Sequence, residues 1–411
     1  MKENILVIFG GKSAEHDISI ITGLQAISNV DREKYNVIPM YISRENKMYV
    51  GEKLCYLSTF MPFDSSKKGI YAAGLTAGTD FLYLAKTATK IYFKGEKTGS
   101  LEIQRAGDVK SKDEKTAKKL KKSVKIGCAV LCCHGRNGED GNLQGLLSMC
   151  GIPFTSCGCA SSAICMDKIF MKDIIKASNF ATADYTSFEK IDYILEPDDT
   201  LKKLEKEIGY PMFIKPANLG SSIGISKCNN RDELEVGIEV AIKYDRRILV
   251  EKSVENNIEV NCAVLGNSAY AVASEIEFPK HEKNFLTFDE KYLQRKQAAE
   301  EGNKTENKIT KKQQQKVKDL AVELFKKFDC KGVVRIDFLI DKDTNEVLVN
   351  ELNTIPGSMA FYLFKGQFDF KKLLNRLIEN AKKLKLEEDK DEFQFMSSAL
   401  NNFNQGIKSR K

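Results

Sequence analysis

An unbroken apolar run at residues 4–9 (NILVIF) ends in Gly10 and Gly11, and a stretch of helical period follows over about 19–30. The chain therefore opens as strand, glycine turn and helix. Further apolar runs at 36–43 and 126–133 read as strands; the latter (IGCAVLCC) lacks polar alternation, which suits the middle of a parallel sheet buried on both faces. This is the pattern of a doubly wound α/β unit over residues 1–160. Residues 75–123 interrupt it as an insertion, of which 109–123 (VKSKDEKTAKKLKKS) is mostly charge and reads as an exposed helix or loop.

Beyond residue 160 the rhythm changes. A helix at 198–208, strands at 211–215 and 224–228 flanking a glycine-serine turn, a helix at 231–244 and a strand at 247–252 make a second α/β unit, 161–252. A third unit, 253–385, shows strands near 258–265, 268–277, 332–341 and 346–351, the last two as a hairpin, with a helix over about 310–328 between the pairs. The segment 278–309 is polar and without period, and its length favours a lid over a cleft. Residues 386–411 read as a polar tail.

A chain of 411 residues exceeds the usual span of one core, in keeping with several units and a cleft between them. No apolar stretch approaches the ~18 residues of a membrane span, and the run at 5–9 is too short for a secretory signal. The eleven cysteines include none spaced as CxxC, and Cys128, Cys132 and Cys133 sit in an apolar run, so they read as buried thiols in a reducing cytosol. The net charge of +7 lies in lysine-rich stretches without interleaved aromatic residues, which reads as solvated surface rather than a nucleic-acid platform. A cytoplasmic protein with no membrane or nucleic-acid partner is expected.

Several loops carry chemistry. Gly10-Gly11-Lys12-Ser13 imitates the end of a P-loop but has Leu6 where that motif needs a glycine. The loop 134–141 (HGRNGEDG) puts three glycines and several polar side chains, His134 among them, at a strand's carboxyl end, a place where ligands bind. Lys215 ends a strand and is followed by the small-residue turn 217–224, which can fold backbone N–H groups over phosphate oxygens. Arg335 and Asp337 lie on one strand, Glu351 and Asn353 on the next. Alternation turns each pair to one face, so two carboxylates, an amide and a guanidinium converge. The acids and amide suit magnesium, which takes few protein oxygens and leaves room for water and phosphate. Asp341, Asp343 and Asn345 imitate an EF-hand opening, but Glu346 stands where its glycine belongs, so the segment is a hairpin turn.

In order, GGKSAEHDIS (10–19), HGRNGEDGNLQG (134–145), MDK (166–168), KPANLGSSIG (215–224), EK (251–252), RIDF (335–338) and ELNTIPGS (351–358) resemble the D-alanine:D-alanine ligases of the ATP-grasp superfamily. The resemblance implies a three-unit α/β ATP-grasp architecture behind a Rossmann-like N-terminal unit, and a suggested homodimer. It implies ATP gripped between the second and third units: Lys168, Lys215, Ser222 and the lid's Lys291 at the phosphates, Glu251 and Lys252 beside the adenine, Glu259 at the ribose. Asp337, Glu351 and Asn353 would bind two magnesium (or manganese) ions. Glu15 would hold the first substrate's ammonium, linked by hydrogen bonds to Ser221 and Tyr292, and Arg335 with the backbone of Gly357 would stabilise an oxyanion. The implied reaction passes through an acyl phosphate to D-alanyl-D-alanine for peptidoglycan precursors.

Departures lie on the acceptor side. The family usually continues after NTxPG with Met-Thr and a carboxylate-gripping serine; here Ser358-Met359-Ala360-Phe361-Tyr362 follow, leaving Ser358 or Tyr362 as substitute donors. Leu286 and Phe288 replace the lid's usual tyrosines. An acceptor such as D-serine, another ATP-grasp ligase chemistry, or a nucleotide-binding regulator are the alternatives; intact Glu15, Arg335, Asp337, Glu351 and Asn353 oppose the last.

Overall fold

The computed structural model describes residues 2–84, 104–105, 122–279 and 309–392. They form three sheets. The first has eight strands in the order β6-β7-β5-β4-β3-β2-β1-β8. These are β1 (Glu3–Gly10), β2 (Tyr35–Ile42), β3 (Met48–Val50), β4 (Tyr71–Leu75), β5 (Phe81–Leu84), β6 (Gln104–Arg105), β7 (Lys122–Lys125) and β8 (Cys128–Leu131). Only β2-β1-β8 is parallel; from β3 outward the pairing is antiparallel. The parallel unit thus carries an antiparallel extension. The insertion contributes strands to it rather than only a charged helix or loop, and residues 122–123 of the charged stretch begin β7.

The continuous apolar run of β1 is explained by its burial on both faces. Ile5, Val7 and Phe9 pack against Ile20 and Ile27 of α1 (His16–Asn29); Leu6 and Ile8 pack against Leu143 and Leu147 of α2 (Asn142–Met149).

Two helices, α3 (Cys159–Met166) and α4 (Lys168–Ala177), lead out of this unit. Asp167 starts α4 by accepting from the backbone N–H groups of Ile169 and Phe170, which satisfies donors that a helix start leaves open. The second sheet, β11-β10-β12-β9, comprises β9 (Tyr185–Glu189), β10 (Met212–Pro216), β11 (Ser226–Cys228) and β12 (Arg247–Lys252). Helices α5 (Lys190–Leu195), α6 (Pro197–Glu207) and α7 (Arg231–Ala241) accompany it, and Leu201, Leu204, Leu234 and Ile238 cover its buried face. β11 starts later than the expected 224 because Ser221, Ser222 and Gly224 take positive φ (54°, 59° and 73°) and cannot extend the strand.

The third sheet, β14-β13-β15-β16, comprises β13 (Asn257–Gly266), β14 (Ala271–Glu277), β15 (Gly332–Asp341) and β16 (Val347–Asn353). It is covered by α8 (Lys311–Lys327) through Val317, Ala321, Leu324 and Phe325, and by Met171 and Ile175 of α4. A capping box between Thr310 and Gln313 starts α8. The imitation calcium loop is the β15–β16 turn, closed by Asp341 N–H donating to Glu346 O at 3.0 Å. The last helix, α9 (Phe370–Glu388), runs past the expected start of the tail at 386. Its Leu373, Leu374, Leu377 and Ile378 join the core of the first sheet, so the end of the third unit in sequence closes the first unit in space.

Candidate active site

The third sheet builds one wall. Register places Glu277, Asn261, Asp337 and Glu351 opposite one another in a single row across β14, β13, β15 and β16. Glu351 faces Asp337 while Val349 faces Phe338, so Asn350 is an extra residue, a bulge that turns the end of β16 relative to β15. Arg335 grips Asp337 through two bonds, Nε to Oδ1 at 2.6 Å and Nη2 to Oδ2 at 2.7 Å, and Asn353 Nδ2 donates to Oδ2 at 3.1 Å. Beside them the Tyr362 hydroxyl donates to Glu277 Oε2 at 3.3 Å, as does Asn261 Nδ2 at 3.2 Å.

Loops of the first unit build the facing wall. Glu15, immediately before α1, is buried, and Ser221 Oγ donates to its Oε1. Two glycines make room for that carboxylate: a Cβ on Gly135 would lie 2.6 Å from Glu15 Oε2, and one on Gly220 would lie 2.9 Å from it. Glu139 spans two loops, accepting from Gly135 N–H at 2.6 Å and from Ile355 N–H at 3.1 Å. Burial, with the Glu15 carboxylate alongside, pushes the Glu139 carboxyl up to about 8. His134 Nε2 lies 2.8 Å from Thr22 Oγ1, which also accepts from Ser358 N–H at 3.3 Å. Ser358, Met359 and Ala360 all have φ near +50°, inside the 3-10 turn Gly357–Phe364.

The second sheet supplies cations. Lys215, on β10, pairs with one oxygen of the buried Glu251 on β12, and Lys172 of α4 pairs with the other at 2.6 Å. Burial alone would raise the Glu251 carboxyl; the two ammonium groups overcome it and hold it at about 2. Lys168 Nζ donates to Leu219 O at 2.6 Å, and Lys252 Nζ to Tyr210 O at 2.8 Å. Ser222 lies in the left-handed turn. Glu259 lies on β13 two residues before Asn261, on the same face by alternation.

One cleft is lined jointly by Glu15, Glu139, Lys168, Gly220, Glu351 and Asn353. Residues expected at a shared site from three distant parts of the sequence are thus brought together. The Glu251 carboxylate is taken up by the two lysines, so its side chain neutralises cations. Tyr292 and Lys291 lie outside the described residues, as does most of the expected lid. Sequence reading missed Lys172 and Thr22, and gave Glu139 no role of its own; the one signal for Lys172 was its position a helical turn beyond Lys168.

The donor set fits a hard divalent cation. Asp337 and Glu351 are directly opposed carboxylates on neighbouring strands, and Asn353 adds an amide oxygen at the cleft. Such a set leaves other coordination positions to water and phosphate oxygens, the way magnesium is usually held.

Residues 4–157 match the family model described as D-ala D-ala ligase N-terminus, and residues 174–379 the one described as D-ala D-ala ligase C-terminus. The chain is 37% identical to the D-alanine–D-alanine ligase of Thermosipho melanesiensis, over 91% of this chain and 92% of that protein. It is 34% identical to that of Caldicellulosiruptor bescii, over 92% and 95%. Among solved structures, the D-alanine-D-alanine ligase of Coxiella burnetii superposes with a TM-score of 0.70 at 23% identity, covering 100% of this chain and 99% of that one. The VanG D-Ala:D-Ser ligase of Enterococcus faecalis gives 0.69 at 25% identity, over 93% and 100%. With both family models and relatives of this identity spanning nearly the whole chain, the protein belongs to the D-alanine–D-alanine ligase family.

Proposed function

We propose that the protein joins two D-alanine molecules at the expense of ATP, giving D-alanyl-D-alanine, ADP and phosphate, in the cytoplasm, for peptidoglycan precursors. The observation that carries this reading is the cleft in which Glu351 and Asn353, the partners of Asp337, meet Glu15 and Lys168. An enzyme that activates one carboxylate and delivers one amine needs an anion for the first substrate's ammonium, cations for the nucleotide, and oxygen donors for a divalent ion. Residues of all three kinds line this cleft or lie beside it.

Glu15, oriented by Ser221, holds the first D-alanine's ammonium. That substrate's carboxylate oxygen attacks the γ-phosphorus of ATP, the bond to the bridging oxygen breaks, and ADP leaves with the electron pair. The second substrate's uncharged amine then attacks the acyl carbon, its nitrogen gives up one proton to water, and phosphate departs from the tetrahedral centre with the electron pair of the broken C–O bond. Arg335 and the backbone at Gly357 face the charge that develops there, and donors fixed in advance in a water-poor site are worth most at that moment. Lys168 and Lys215, with Ser222, face the phosphates, and Glu251, Lys252 and Glu259 form the nucleotide's border between the second and third sheets. Asp337, Glu351 and Asn353 would hold magnesium or manganese, two ions in this reading, which would supply charge neutralisation for the phosphates. Lys291 and Tyr292 belong to the same proposal through the lid, as do the unit boundaries 1–160, 161–252 and 253–385, the latter including α9 as a helix that returns to the first unit. The homodimer is part of the reading too, and sedimentation of the full chain tests it.

ADP and phosphate release with magnesium, measured with D-alanine alone, tests the reading, with products identified by mass. D-Alanyl-D-alanine is the expected product; release only with a mixed pair such as D-alanine and D-serine would assign another acceptor, and no release would sink the reading. The second acceptor has a specific observation behind it: Tyr362, which with Ser358 could replace the family's carboxylate-gripping serine, has its hydroxyl on Glu277.

A further inference from the structure

Lys172 lies one helical turn beyond Lys168 on α4, and its side chain is 1% exposed. An ammonium group taken out of water is tolerated only when it is paired and hydrogen-bonded. Its partners lie on β12 and in the loop before β9. Nζ sits 2.6 Å from Glu251 Oε1 on β12 and donates to Thr182 Oγ1 at 2.7 Å. The Thr182 hydroxyl in turn donates to Val349 O at 2.8 Å, on β16 two residues before Glu351. One buried cation therefore joins α4, the strand behind Lys215, and the strand that carries Glu351 and Asn353.

The charges of the cluster give this arrangement a consequence. Glu251 alone with Lys215 would form a closed neutral pair, and the lysine's field at a phosphate would be largely cancelled. With Lys172 on the other carboxylate oxygen, the three groups sum to one positive charge. Lys215, 14% exposed against 3% for Glu251, is the member placed to present it.

We propose that Lys172 is a positioning residue for ATP: it neutralises Glu251 so that Lys215 keeps its charge for the nucleotide phosphates, and through Thr182 it fixes the second sheet against the strand of Glu351 and Asn353. The inference rests on the ATP-dependent reading above.

The test uses the full chain with Lys172→Met, Lys172→Arg and the double change Lys172→Met/Glu251→Gln. Three readouts are taken: displacement of a fluorescent ATP analogue by magnesium-ATP, KM for ATP against kcat at saturating D-alanine, and the thermal midpoint. Lys172→Met should raise KM and Kd for ATP about tenfold or more, because Lys215 is then cancelled by Glu251, while KM for D-alanine stays put. Lys172→Arg should retain most of the affinity, and the double variant should recover most of what the single one loses, since it again leaves one positive charge. A purely structural role would move the thermal midpoint without that KM split. Unchanged ATP affinity in folded Lys172→Met, or a double variant that binds ATP no better than the single one, would overturn the inference. Should Lys172→Met fail to fold, Lys172→Gln read beside Lys172→Arg decides: ATP affinity lost in the first and kept in the second supports the inference, and equal affinity in the two overturns it. If the unaltered protein binds no ATP, the ligase reading falls, and this inference with it.

Discussion

Glu15 shows how much a single side chain asks of its surroundings. It is buried, two glycines leave it space, and Ser221 donates to it from a left-handed turn in another unit. Ser221→Ala should raise KM for D-alanine by roughly 10–100-fold, the usual range for a hydrogen bond to a charged group, with ADP release against D-alanine concentration as the check. Two other carboxylates give pH signatures of opposite sign. Glu139 is held above the ordinary glutamate value of 4.5, at about 8. The folded chain therefore binds its proton more tightly than the unfolded chain does, and the stability it contributes is full below about 4.5 and is lost as pH rises through about 8. Glu139→Gln should flatten the thermal midpoint over that window. Glu251 is held below 4.5, at about 2, so its contribution is full above 4.5 and is lost as pH falls through about 2. Acid unfolding of the unaltered protein should steepen in that lower window, and the Lys172→Met/Glu251→Gln protein should lack the steepening.

At the scale of elements, α9 and the bulge of β16 matter most. The helix presents Leu373, Leu377 and Ile378 to the core beneath β8 and α1, more than two hundred residues away in sequence, and Leu377 is 1% exposed. Leu377→Ala should therefore cost about 2–5 kcal/mol, measured by denaturant titration, although it lies in no candidate site. Periodicity shows that this stretch is a helix with an apolar face. It does not say which sheet receives the face, because an apolar stripe fits any apolar partner. The bulge at Asn350 is equally silent in sequence: alternation gives the faces of Glu351 and Asn353, but the extra residue that aligns Glu351 with Asp337 is a property of the paired strands.

For the molecule as a whole, the proposed chemistry requires loops of three units to meet. Asp337→Asn or Glu351→Gln should abolish product formation while leaving the circular dichroism spectrum of the native protein; turnover that survives either change would remove the metal set from the mechanism. A chelator should likewise stop ADP release, with magnesium restoring it. By itself the sequence determined the elements and the motifs. The run at 4–9, the helix near 310–328 and the hairpin pattern around Arg335 and Glu351 are local, and local preferences are written in neighbouring residues. It also placed Glu15 on a loop and Lys215 and Asn353 at strand ends, where ligands are met. Only the tertiary structure decided that the insertion would extend the first sheet, that α9 would return to it, that Lys172 would be buried, and that Glu139 would be drawn into the site's frame. Those outcomes depend on which surfaces meet across long chain separations, and a buried charge acquires its meaning only from partners that folding brings within reach.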